Sequence, residues 1–181
     1  THETTLGLAT GPGWSASTPR IQMLDRGIRM ERWFVGWPKS PRNPEPVDNW
    51  TTYDYLAPGV FLMENRSYPP GHAERSDFGA PEGEPFTYRV EQQAVTPLSA
   101  TETRYFFATG MDARMPAQLL EPIFEVVNAA FAEDRAIIEG QQRIWDIMPD
   151  DDDPMAFIAH DKGPAMFRRV MDRLIRESAT G

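Results

Sequence analysis

Histidine occurs at three positions only, His2, His72 and His160, and cysteine does not occur at all. Thiol nucleophiles, disulfides, zinc–thiolate sites and cysteine-held iron–sulfur clusters are thereby excluded within this chain. The side chains left for chemistry are imidazoles and carboxylates. One carboxylate stands out by its spacing. Placed on a helix, FAEDRAIIEGQQRIW puts Phe131, Asp134, Ile138, Gln141 and Trp145 on one stripe with Ile137 beside it. Asp134 then lies on the apolar side, whereas Glu133, Arg135 and Glu139 point elsewhere. An ionised carboxylate so placed costs several kcal/mol unless something pairs with it. A bound metal would remove that cost, and so would a buried arginine. The simpler alternative is an acid near a helix start that favours the macrodipole. His2, in the opening THETTLGLATGPG, is by itself a loop histidine.

The elements that must position these groups follow from periodicity. The first 19 residues are rich in Gly, Thr, Ser and Pro and read as loop. IQMLDRGIRMERWFVGW predicts two strands about Asp25-Arg26-Gly27, with Ile28, Met30, Arg32 and Phe34 on one side of the second. PKSPRNPEPVDN, with four prolines between Pro38 and Pro46, predicts an extended loop rather than a central strand. WTTYDYLAPGVFLMENRSY predicts a hairpin turning at Ala57-Pro58-Gly59, and PPGHAERSDFGAPEGEP a long loop. A second strand pair spans Phe86 to Val95 and Thr103 to Thr109, joined at Thr96-Pro97-Leu98-Ser99. The parity of Tyr88, Val90, Tyr105 and Phe107 suits shared faces.

Beyond residue 115 the period becomes helical. PAQLLEPIFEVVNAAF begins at Pro116 and is kinked or restarted by Pro122. EDRAIIEGQQRIWDIM continues it, PDDDDP forms a solvated acidic loop, and GPAMFRRVMDRLIRES makes a terminal amphipathic helix. Met166, Val170 and Leu174 line that helix's apolar stripe, with Arg168, Arg169, Arg173 and Arg176 on a solvated face. Strands first and long helices last predict an α+β protein with helices on one face of an antiparallel sheet, in a single domain over residues 1–181.

Composition narrows the function classes. Hydrophobic residues at 40% and charged residues at 25% are globular values. A net charge of −9 argues against a nucleic-acid partner. The lack of a long apolar run argues against a membrane, and the lack of a basic, apolar leader favours a cytoplasmic setting.

Four segments together resemble one family. THET is similar to the iron-binding segment of the catalytic domain of Rieske non-haem iron oxygenases of the vanillate O-demethylase oxygenase-subunit type. TPLSATETRYFFA is similar to a strand pair of that family. FAEDRAIIEGQQ resembles its helix bearing the metal-ligating acid, and HDKGPAMFRRVMDRLI its closing helix. The resemblance implies a helix-grip (Bet v1/START-like) α+β fold, a curved antiparallel sheet gripping long C-terminal helices. It implies a mononuclear Fe(II) held by two histidines and a carboxylate, a facial triad with open positions. The resemblance gives the first histidine's role to His2 and the carboxylate's to Asp134. The second histidine falls at position 7, where Gly7 stands. Either residues are missing between Thr4 and Leu8, or the iron site has been lost and the domain is a metal-free binder of hydrophobic ligands.

The family further implies a 2Fe-2S Rieske cluster in a domain upstream, O2 as co-substrate and a reductase or ferredoxin as electron donor. It implies an aromatic substrate that undergoes O-demethylation or ring hydroxylation, by monooxygenase or dioxygenase chemistry, and a homotrimer. Gln93, Tyr105, Phe107, Phe124 and Val127 are the candidate lining of the substrate pocket, with Gln92 able to replace Gln93 as the inward residue. His72 and His160 receive solvated or capping roles.

Overall fold

A computed structural model describes residues 17–40, 43–148, 158 and 161–179. Six strands form one antiparallel sheet in sequential order: β1 Arg20–Leu24, β2 Gly27–Ser40, β3 Asn43–Leu56, β4 Val60–Tyr68, β5 Thr87–Pro97 and β6 Thr103–Met111. A short helix, α1 His72–Arg75, interrupts the segment between β4 and β5. After β6 come α2 Leu120–Trp145 and α3 Lys162–Ala179. This is the α+β arrangement predicted from the sequence, an antiparallel sheet with its long helices at the end. No described helix is long and apolar enough to cross a membrane.

Register fixes which side chains share a face. The pairs Ile21↔Met30, Met30↔Tyr53, Tyr53↔Met63, Met63↔Glu91 and Glu91↔Thr109 carry one face across all six strands. α3 rests on this face at β1 and β2, and α2 at β6. Gly163 makes the α3 contact possible: a Cβ there would sit 3.1 Å from Met30 Sδ and 3.7 Å from Ile28 Cδ1. Val170, fully buried, continues the seam two turns along the same helix. Ile28, Met30, Arg32 and Phe34 do share this face, as expected. Arg173 departs from the solvated face foreseen for it, because it bonds the Asp25 carbonyl oxygen and pairs with Glu177 at 3.2 Å, tying α3 to the β1–β2 turn.

Three other expectations change. The proline-rich stretch is strand, with Pro38 opposite Pro46 and Ser40 opposite Asn43. It escapes the rule against central prolines because β1 pairs β2 only as far as Glu31 and β4 pairs β3 only from Asp48 onward. The arm is therefore a two-stranded ribbon with open edges, where a missing N–H leaves no ladder bond unmade. At its base the register shifts between Phe34 and Trp37, accommodated by Gly36 at φ +65°. Second, even-numbered residues of β5 oppose even-numbered residues of β6, so Tyr88 and Val90 lie on the face away from Tyr105 and Phe107. Third, Thr96 and Pro97 belong to β5, paired with Arg104 and Thr103, and the turn is shorter than foreseen. Pro122 falls in the first turn of α2, after a 3-10 turn at Ala117–Leu119, where helix N–H groups have no partner to lose.

The face opposite the helices has its own core. Trp33, Trp50, Tyr68 and Ala73 form a buried cluster, closed by α1 and the chain that follows it. Trp33 stands 5.2 Å from Trp50 and 5.7 Å from Tyr68, ring centre to ring centre. Its indole N–H donates to the Gly79 carbonyl at 2.8 Å. Asp48, 1% exposed, accepts from the Ala73 and Gly36 backbone N–H groups at 3.0 and 3.2 Å.

Candidate functional site

Asp134 sits on α2, and its neighbours show which way it faces. Phe131, one turn earlier, packs edge-on against Tyr105 at 5.1 Å and Phe107 at 4.8 Å. Phe124, two turns before Phe131, stacks on Phe107 at 5.3 Å. Asp134 is half-buried on this same side, and its carboxylate acts on Tyr105. Burial first, and the Asp134 charge second, push the Tyr105 phenol far above its ordinary value. The stripe predicted for this helix holds only in part. Ile123, Val127, Ala130, Phe131 and Asp134 are shielded, but Ile138, Gln141 and Trp145 are exposed.

The pocket candidates fall on the helix-facing side of the sheet. Gln93 lies between Phe61 and Phe107 across the strands and is half-buried, whereas Gln92 points to the other face and is exposed. Tyr105, Phe107, Phe124 and Val127 line the junction of β6 and α2, with Tyr105 and Phe124 still 41% and 45% exposed. Phe61 joins them, packed at 4.6 Å on Tyr55 and 5.8 Å on Tyr53. One end of the concave face is thus an aromatic floor.

The other end is polar. One rung runs Arg32, Thr51, Asn65, Arg89, and the next holds Tyr53, Met63, Glu91 and Thr109. Arg32 lies over the rings of Phe34 and Tyr53 and donates to the Tyr53 hydroxyl at 3.2 Å. Burial is also what raises the Tyr53 phenol, the Arg32 charge opposing it. Glu91 is 9% exposed and meets Arg89 at 3.1 Å. Burial pushes its carboxyl up and the Arg89 guanidinium partly restores it. Sequence reading passed over this row. The signal available was the alternation Arg89, Glu91, Gln93 along one strand, which puts the first two on the same side as the pocket candidate Gln93.

The remaining candidates separate from this cleft. His2 and Gly7 lie outside the described residues, as do His160 and the acidic loop PDDDDP. His72 belongs to the opposite face, its ring stacked at 4.3 Å on Tyr68 and its Nε2–H donating to the Glu82 carbonyl, so it is packed rather than solvated. Among the described residues no three His, Asp or Glu side chains converge as a metal cluster; they offer one carboxylate, Asp134, at the aromatic end of the cleft. Two cavities, of about 260 and 240 Å³, lie against the other face, one edged by Trp33, Trp50 and Phe78 and the other by the Arg29–Asp54 and Arg66–Glu64 pairs.

A family model for the vanillate O-demethylase oxygenase C-terminal domain matches residues 1–177. The chain belongs to this family. Two relatives from Comamonas testosteroni agree with that placement. One is a putative toluene-4-sulfonate monooxygenase system iron-sulfur subunit, 28% identical over 99% of this chain and 53% of its own length. The other is a toluene-4-sulfonate monooxygenase system iron-sulfur subunit, 27% identical over 99% of this chain and 52% of its own length. The chain spans about half the length of these relatives. The family membership shows the resemblance read from THET, FAEDRAIIEGQQ and HDKGPAMFRRVMDRLI to be real kinship.

Proposed function

We propose that this chain is the iron-binding, substrate-binding half of an oxygenase component that oxidises an aromatic compound. The observation that carries the reading is the half-buried Asp134, set beside Tyr105 and Phe131 over an aromatic floor in a member of this family. Asp134 and His2 hold Fe(II), with a further imidazole required to complete a facial triad. When bound, the iron supplies O2 activation, using electrons delivered from outside. The chain's own part is to hold the ring. Tyr105, Phe107 and Phe124 flank it, Val127 closes the helix side, and Gln93 offers an amide to a substrate oxygen.

The remaining length of the full protein carries the 2Fe-2S Rieske cluster, and a reductase or ferredoxin feeds it. The relatives' names, which describe iron-sulfur subunits of monooxygenase systems, support that division. They favour monooxygenation over dioxygenation, as O-demethylation or hydroxylation. Exposed Ile137, Ile138, Ile144 and Trp145 on α2 suit a covered surface in an oligomer, for which we propose a homotrimer.

Iron supplied anaerobically to reduced, intact protein is expected to bind stoichiometrically. Asp134→Ala should lose that iron while keeping its thermal unfolding midpoint. Retention of iron by the variant removes Asp134 from the site. Gly7, where the family has its second histidine, favours a second reading, a metal-free binder of apolar ligands in the same cleft. The encoding DNA between Thr4 and Leu8 separates the two readings. A histidine codon there supports the oxygenase, and its absence supports the binder.

A further inference from the structure

The polar end of the cleft holds buried groups that the fold leaves unsatisfied. Arg89 Nε, Thr109 Oγ1 and Asn65 Nδ2 are shielded from water and find no hydrogen-bond partner among the described residues. All three lie on the concave face and on adjacent strands. Asn65 is directly opposite Arg89, and Thr109 is opposite Glu91, two residues along β5 from Arg89. Leaving one such group unmade costs roughly 1–3 kcal/mol, so three together on one patch call for an occupant. The nearby acceptors are already engaged: Glu91 Oε1 by Arg89, the Tyr53 hydroxyl by Arg32.

The Thr51 hydroxyl lies 2.9 Å from both Asn49 Oδ1 and Asn65 Oδ1, and its single proton serves one of them. With that proton on Asn65 Oδ1, the Asn65 amide presents its NH2 to the cleft as a third donor. The unmet need is therefore for acceptors. An oxyanion head group supplies two or three acceptor oxygens and no competing donor. These two rungs carry two guanidiniums, Arg32 and Arg89, against one carboxylate, Glu91. A ring attached to that head group extends along the same face toward Phe61, Gln93 and Phe107.

We infer that Arg89, Thr109 and Asn65 form an oxyanion-binding subsite that seats the carboxylate or sulfonate of an aromatic ligand whose ring lies on the aromatic floor beside Asp134. This rests on the proposed aromatic-substrate reading, and it assigns the specificity-determining residues. The three donors select for the head group and align the ring. Loss of the Thr109 hydroxyl removes one bond to a charged acceptor, an effect of about tenfold in affinity.

Calorimetric titration of intact, iron-free protein with benzoate, benzenesulfonate and toluene tests this directly. Wild type should bind at least one of the two anions more tightly than toluene, and whichever binds better names the head group. Thr109→Val should weaken that anion about tenfold and leave toluene unchanged. Its unfolding midpoint should not fall, because the deleted hydroxyl bonds nothing among the described residues. Arg89→Lys, which keeps the charge but loses Nε and the planar fork, should also weaken the anion. Equal binding of toluene and both anions, or anion affinity unchanged in Thr109→Val and Arg89→Lys, overturns the subsite and leaves ordered water as its occupant. Because no iron is present, these outcomes are independent of the Asp134→Ala iron assay. That assay can fail while the anion preference stands, and the reverse.

Discussion

The two faces of one sheet are built to opposite standards. The face under α1 holds a buried cluster with its polar groups met: Trp33, Trp50 and Tyr68 are 6%, 3% and 1% exposed, and Asp48 is bonded to two backbone N–H groups. The face under α2 and α3 carries half-exposed Tyr105 and Phe124, a buried Glu91 and, on Asn65, Arg89 and Thr109, polar atoms without partners among the described residues. Strands contribute alternately to both, so neither composition nor strand quality accounts for the difference. What covers each face does. A short segment anchored by Asp48 and Trp33 seals one side. On the other, α3 seats on β1 and β2 at one side of the sheet and α2 on β6 at its far edge, so the helices make their main contacts away from β4 and β5. The first face completes its polar groups within the fold, and the second, though it too buries Ile28, Phe34, Tyr53 and Val170, keeps unsatisfied groups for a ligand to complete.

Deleting a side chain from the sealed face should have the largest effect. Trp33→Ala is expected to cost about 3–5 kcal/mol in denaturant unfolding, whereas Phe107→Ala on the open face should cost clearly less. Equal losses would break the contrast. Asp48→Ala should follow, at roughly 1–3 kcal/mol for each N–H left without its acceptor, with faster hydrogen exchange at the Ala73 amide as the local readout.

Glu91→Gln should reverse the sign. Glu91's carboxyl titrates above its ordinary value, chiefly through burial, so the folded chain holds that proton more tightly than the unfolded chain does. The stability it contributes is complete below the ordinary carboxylate range and is lost as pH rises through the raised value. The variant should therefore gain over wild type near neutral pH and lose that gain in acid, read from unfolding midpoints across pH. Smallest of all, Arg135→Ala on the solvent side of α2 removes an exposed pair with Glu139 and should leave the midpoint where it is.

The turns at Asp25-Arg26-Gly27 and Ala57-Pro58-Gly59, the change from strand to helix after residue 115 and the order of elements are all local signals, and each is readable from the chain. So was the side of α2 that carries Phe131 and Asp134, because helical period is a property of neighbours in sequence. The proline arm misled, since a proline's cost depends on whether another strand lies beside it, and that is decided by how far β1 and β4 extend. Gln93 could be told from Gln92 only by register, which tied it to Phe61 and Phe107.

By itself, then, the sequence determined the elements, their order and the carboxylate that a cation could use. Tertiary structure alone decided which side of RVEQQ is inside. Alternation divides a strand into two sets of residues but does not say which set meets the helices. Here the polar set, Arg89, Glu91 and Gln93, faces inward, against the hydrophobic rule. The physical reason is that α3 seats on β1 and β2 and α2 on β6, so the main helix contacts fall to either side of β4 and β5, where polar groups can be kept for a bound molecule rather than for the core.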